Sequence, residues 1–119
     1  MTSIELAQKV AGILDSKKAA DVTVMDIRQL TTLGDYFVIA SGGSNTQVKA
    51  LADEVDKQLS QVGLEPKRIE GYASATWILM DYYEVMIHIF YQETREFYGL
   101  ERLWSDAPQV DLSEIVKEN

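Results

Sequence analysis

From Tyr36 to Ser41 the chain is almost unbroken apolar sequence, then breaks at Gly42-Gly43. At Ser44-Asn45-Thr46-Gln47 it reopens into a helical pattern, with Val48, Leu51, Ala52, Val55, Leu59 and Val62 on one face. The first run predicts a buried strand and the second an amphipathic helix. Ser44 with Gln47 three residues on predicts a capping box. Gly63, followed by apolar Leu64 and then Pro66, predicts a Schellman-type stop. Upstream, Ile4, Ala7, Ala11 and Leu14 recur at helical spacing, widened by Leu6, Val10 and Ile13, with Ser3 as the expected cap. Asp15 to Asp21 is polar and reads as the exit. Val22 to Ile27 alternates as a strand, and a third strand is expected over Lys67 to Gly71. Trp77 to Asp81 and Val85 to Tyr91 are separated so briefly that only a hairpin joins them. A last helix starts near Thr94, with Phe97, Leu100, Leu103 and Trp104 as its apolar positions. Residues 1–107 are expected as one domain, and 108–119 as a mobile or short helical tail. In that tail Asp111 and Glu114 resemble a cap, ahead of Leu112, Ile115 and Val116. The order α-β-β-α-β-β-β-α predicts an α/β sandwich with a mixed five-stranded sheet and flanking helices.

The hairpin carries a parity argument. A tight loop with an even number of residues pairs positions whose numbers sum to an odd value, and directly opposed side chains share a sheet face. Trp77, Leu79 and Asp81 are therefore expected on one face with Met86, His88 and Phe90. The other face carries Ile78, Met80, Val85, Ile87, Ile89 and Tyr91, and suits a helix-covered core. The first mixes large hydrophobes with an acid and an imidazole, as a partly open interaction surface does.

Composition narrows the chemistry. There are 119 residues, 46% of them hydrophobic, which suits one folded domain. No apolar stretch approaches the roughly 18 residues needed to cross a bilayer. The start Met1-Thr2-Ser3-Ile4-Glu5 lacks the features of a secretory signal, so a cytosolic location is expected. Cysteine is absent and His88 is the only histidine, which removes thiolate and multi-histidine metal sites. The net charge is −8, and residues 81–119 hold nine of the acids but only three of the bases. Nucleic-acid binders carry a basic patch that displaces counterions, and the nearest approaches to one here are Lys17-Lys18 and Lys67-Arg68. An acidic surface instead suits a basic protein partner.

A glycine-serine turn at a helix start can hold a phosphate. A nucleotidyltransferase would add carboxylates on neighbouring strands for two metal ions. Those carboxylates are missing from the pattern. No strand carries an Asp-x-Asp or Asp-x-Glu pair, Asp26 and Asp81 are single acids at strand ends, and Asp53, Glu54 and Asp56 fall on the helix. Ser44 is explained by capping alone, and Asp35 by bracing the turn before the second strand. His88 as a general base lacks a nucleophile motif and reads as a satisfied histidine or a partner contact. Trp77 fits the core and an interface anchor equally well.

The motifs from Asp21 to Ala107 resemble the bacterial ribosomal silencing factor family, also called Iojap or YbeB-like. They are Asp35-Tyr36-Phe37-Val38-Ile39-Ala40-Ser41-Gly42, Ser44 with Gln47-Val48, Glu70-Gly71, Trp77 to Asp81, Val85 to Phe90, Phe97-Tyr98, and Leu100 to Ala107. The resemblance implies a nucleotidyltransferase-like α/β fold without catalysis, cofactor or metal. It implies binding to the large ribosomal subunit through large-subunit ribosomal protein number fourteen, which blocks joining of the small subunit. It also implies a homodimer when free. Motif match and face assignment together select Glu70, Trp77, Leu79, Asp81 and His88 as partner-binding residues. Tyr83-Glu84 departs from the Gly-Asp expected in the hairpin turn. The alternatives are a metal-dependent nucleotidyltransferase and a ribosome-assembly factor on RNA, which the acidic charge disfavours.

Overall fold

A threonine followed three residues later by glutamate opens the first helix. In the computed structural model, which describes residues 1–116, α1 spans Ser3–Ser16. Thr2, not the expected Ser3, is its cap: Thr2 Oγ1 accepts the Glu5 N–H at 3.2 Å and the Glu5 carboxylate accepts the Thr2 N–H at 2.8 Å. The reciprocal pair satisfies two orphan donors, which a cap at Ser3 does not. Ser3, so released, donates to Asp35 Oδ2 at 2.7 Å and braces the turn ahead of the second strand.

Ser44 caps α2 (Asn45–Gln61) as expected, with its hydroxyl accepting the Gln47 N–H at 3.1 Å. Gln47 closes the box one residue early, its side-chain oxygen accepting from Gly43 N–H at 2.6 Å. The helix ends in the expected Schellman motif, with Leu64 N–H donating to the Leu59 carbonyl and Gly63 N–H to the Ser60 carbonyl. Gly63 takes φ +83°, which glycine adopts without Cβ strain.

Among the described residues five strands follow the expected order: β1 (Ala20–Asp26), β2 (Tyr36–Gly42), β3 (Arg68–Glu70), β4 (Trp77–Tyr82) and β5 (Val85–Tyr91). They form one mixed sheet in the order β1-β2-β5-β4-β3, with β2 and β5 parallel and every other pair antiparallel. The hairpin pairs Trp77 with Phe90, Leu79 with His88 and Asp81 with Met86, as parity requires. On one face Val38, Ala40, Ile78, Met80, Ile87 and Ile89 are buried beneath α1 and α2. On the other, Met25, Phe37, Ile39 and Phe90 form a second, smaller core with Leu100 and Ala107. β2 is covered on both sides and is buried throughout.

The last helix begins at Gln92 rather than near Thr94 and breaks at Gly99, giving α3 (Gln92–Tyr98) and α4 (Leu100–Leu103). Beyond Ala107 the chain returns along the edge of the sheet. Asp26 N–H donates to the Pro108 carbonyl, Val110 N–H donates to the Val24 carbonyl, and Gln109 bridges Met25. This covers the backbone groups of an otherwise open edge strand. Leu112 and Ile115 then pack on the helix-covered core, and residues 113–115 make a single turn. The remainder of the expected tail, residues 117–119, lies outside the described residues.

The hairpin loop is Tyr83-Glu84, and Tyr83 takes φ +71°. A tyrosine there bears the Cβ–carbonyl strain that glycine escapes, roughly 1–2 kcal/mol, partly offset by glycine's larger entropy loss. Tyr83→Gly is expected to raise stability by about 0.5 kcal/mol, read from the urea midpoint at constant m-value. A lower midpoint would show that the side chain, not the turn, governs this loop.

Candidate partner-binding face

The face opposite α1 and α2 collects the predicted residues in adjacent rows across the sheet. Glu70, Leu79, His88 and Ile39 are paired successively from β3 to β2; Trp77, Phe90 and Ser41 form the next row, and Arg68, Asp81, Met86 and Phe37 the row on the other side. The small core closes this face over β1 and β2. Toward β4 and β3 it opens, leaving Trp77, Leu79 and Met86 half-buried and Glu70 exposed. A cleft of about 320 Å³ runs here, lined by Glu70, Gly71, Trp77 and Leu79.

Trp77 is held in place. Its ring stacks on Phe90 at 4.9 Å, Tyr98 of α3 lies 5.0 Å away, and its Nε1–H donates to His88 Nδ1 at 3.1 Å. Because Nδ1 accepts, the neutral imidazole carries its proton on Nε2. His88 is 5% exposed, and burial pushes its pKa down to about 4. Phe37 stands edge-on to the imidazole at 4.7 Å, and Trp104 edge-on to Phe37 at 5.2 Å. A row of rings thus runs from α4 to Trp77 through a neutral, buried histidine.

Asp81, like His88 and unlike Glu70, Trp77 and Leu79, is withdrawn from the surface. It is buried, accepts the Tyr83 N–H at 2.8 Å and faces Arg68 Nη1 at 3.4 Å. Its carboxylate braces the hairpin loop and is not presented to solvent. Glu70 pairs with Arg68 at 2.8 Å, an exposed contact worth little by itself.

Gly71 backs closely onto the Trp77 backbone. It takes φ +82°, and a Cβ there would collide with the Trp77 carbonyl oxygen. Gly71→Ala is expected to cost about 2 kcal/mol of stability, because rigid backbone must move to admit the methyl. Urea unfolding measures this, and an unchanged midpoint would show that the loop relaxes freely.

Comparison with known proteins adds that the family model for ribosomal silencing factor during starvation matches residues 1–119. The chain belongs to the ribosomal silencing factor family. It is 39% identical to the ribosomal silencing factor of Halalkalibacterium halodurans, over 98% of this chain and 99% of that protein. It is 37% identical to the Bacillus subtilis silencing factor, over 94% and 95%. A crystal structure of a Chromobacterium violaceum protein superposes with a TM-score of 0.85 at 33% identity, covering 88% of each chain.

In this silencing-factor chain the glycine-serine turn is occupied by its own side chains. Gln47 takes the Gly43 N–H that an anion would use, and its Nε2 donates to the Lys18 carbonyl at 3.3 Å. Asp26 and Asp81, the single acids at strand ends, lie at the far end of the sheet from this turn. Gly42 pairs with Tyr91, whereas Asp26 pairs with Tyr36 and Asp81 with Met86, five or six residues away, roughly 16–20 Å along the strands. Asp26 is moreover forked to Arg28, whose guanidinium holds its carboxyl below the usual range. Among the described residues no group of three or more His, Cys, Asp or Glu is arranged to hold a metal ion, and no helix is long and apolar enough to cross a membrane.

Sequence reading missed the contribution of α3 and α4. Phe97 and Leu103 are 79% and 76% exposed, and Tyr98 is about half exposed. Phe97 stands edge-on to Tyr98 at 5.2 Å, so the aromatic surface continues outward from Trp77. Helical spacing identifies these positions as apolar, but the break at Gly99 decides which turn outward.

Proposed function

We propose that this protein represses translation without catalysis. It docks on the large ribosomal subunit through large-subunit ribosomal protein number fourteen and blocks entry of the small subunit. Membership of the silencing-factor family supports the ribosomal target. The observation that carries the docking mode is Trp77, half-buried beside an apolar cleft and oriented by a hydrogen bond to buried His88. A rigid, partly desolvated tryptophan is the residue type that dominates interface energies. Leu79, Glu70, Tyr98 and Phe97 surround it as contact surface. Asp81 contributes by holding the hairpin, and His88 by orienting the indole.

The net charge of −8 supports a basic protein as the surface met, and argues against naked RNA. The protein acts in the cytoplasm, needs no cofactor, and is a homodimer when free of the ribosome. Purified protein mixed with isolated protein fourteen, and separately with protein-free ribosomal RNA, tests this. Binding to the protein, unaffected by nuclease, is expected. Binding only to RNA, with steep salt dependence, would replace this reading with RNA-directed assembly.

A further inference from the structure

Arg95 is the one buried cation among the described residues, and none of its contacts belongs to the cleft. From α3 its Nε and Nη2 fork onto both oxygens of Glu101 in α4, at 2.9 and 3.0 Å. Nη1 donates to Ser41 Oγ of β2 at 2.8 Å, and Nη2 reaches Thr23 Oγ1 of β1 at 3.4 Å. The guanidinium therefore ties two short helices to each other and to the sheet, across the reversal at Gly99 with φ +60°. Both helices deliver a ring to the surroundings of Trp77. Tyr98 at the end of α3 touches it directly, and Trp104 just after α4 reaches it through Phe37 and His88.

With Arg95 buried but Glu101 partly exposed, the ion pair is by itself weak evidence for stability. Its geometric effect is another matter. Helices of seven and four residues have almost no intrinsic stability and take their position from tertiary contacts. Gly99 caps both and Leu100 seats α4 in the smaller core, and the side-chain contact that joins the two helices is the Arg95–Glu101 fork.

We propose that Arg95 is a positioning residue for the docking face: its fork to Glu101 sets α3 against α4 and thereby fixes the rings that hold Trp77 ready for its partner. This rests on the docking reading above. It assigns to Arg95 no contact with the partner.

The test uses the full chain carrying Arg95→Met with Glu101→Leu, which removes both charges together and strands neither. Affinity for purified large ribosomal subunits is measured by sedimentation, and the two indole N–H signals are followed in ¹⁵N-labelled protein. At least tenfold weaker binding is expected, with both indole signals shifted or broadened and the amides of α1 and α2 unmoved. Affinity within twofold of the parent overturns the proposal, and so does weaker binding with unmoved indoles. If the double variant does not fold, Arg95→Lys decides, since it keeps the charge but not the fork. Threefold or greater weakening with moved indoles supports the proposal, and anything less overturns it. A parent that fails to bind the subunits defeats the docking reading and this proposal together. A binding parent matched by its variant defeats only the role of Arg95.

Discussion

Trp77→Ala is expected to weaken binding to large ribosomal subunits at least thirtyfold while the protein stays folded. The figure corresponds to about 2 kcal/mol, the lower bound for a tryptophan anchor at an interface centre. The fold survives because Trp77 stands at the open margin of the smaller core, while the main core lies on the opposite face. Part of the loss is indirect, since His88 Nδ1 gives up its donor and the imidazole is left without the hydrogen bond that fixes its tautomer. Circular dichroism and a cooperative urea transition establish folding, and sedimentation with subunits gives the affinity. A folded variant that binds within threefold of the parent would remove Trp77 from the interface.

Acid should destabilise this protein earlier than its carboxylates alone require. His88 titrates near 4 when folded and near 6.5 when unfolded, because burial disfavours the imidazolium. As pH falls below 6.5 the unfolded chain takes up a proton that the folded chain refuses. Stability fully present above pH 6.5 is therefore lost as pH falls toward 4, by about 3 kcal/mol. Protonation also converts Nδ1 from acceptor to donor, so it breaks the hydrogen bond to Trp77. Urea unfolding between pH 7 and 4.5 measures the slope, and His88→Gln isolates its origin by removing the histidine titration. If parent and variant show the same slope across that window, the imidazole is not buried as described.

Much of this architecture was legible because local chemistry and tertiary structure agree. The strand from Tyr36, the Ser44 cap and the Gly63 stop follow from residues within a few positions of each other, and each was found where expected. The hairpin faces follow from counting alone, which places Trp77, Leu79 and His88 on one side of the sheet, as their pairing bears out. The resemblance supplied what counting could not, namely Glu70 on a strand of only three residues.

What could not be read depends on distant partners. Thr2 with Glu5 is the fuller local cap pattern, but that Ser3 turns instead to Asp35, 32 residues away, is something no local pattern shows. Arg95 reads as a solvated helix charge until Ser41 and Thr23, 54 and 72 residues distant, are seen against it. Asp81 shares a face with the cleft residues, yet Arg68 and the Tyr83 N–H claim its carboxylate. Face assignment gives the side of a sheet but not the depth of a side chain.

In the proposed mode of action this face excludes the small subunit from the large one. Light scattering from purified subunits mixed in the presence of increasing protein measures it directly. Joining is expected to fall to near zero as the protein reaches equivalence with large subunits, and Trp77→Ala at the same concentration to restore it. Joining at full rate and extent with saturating, folded protein would contradict it.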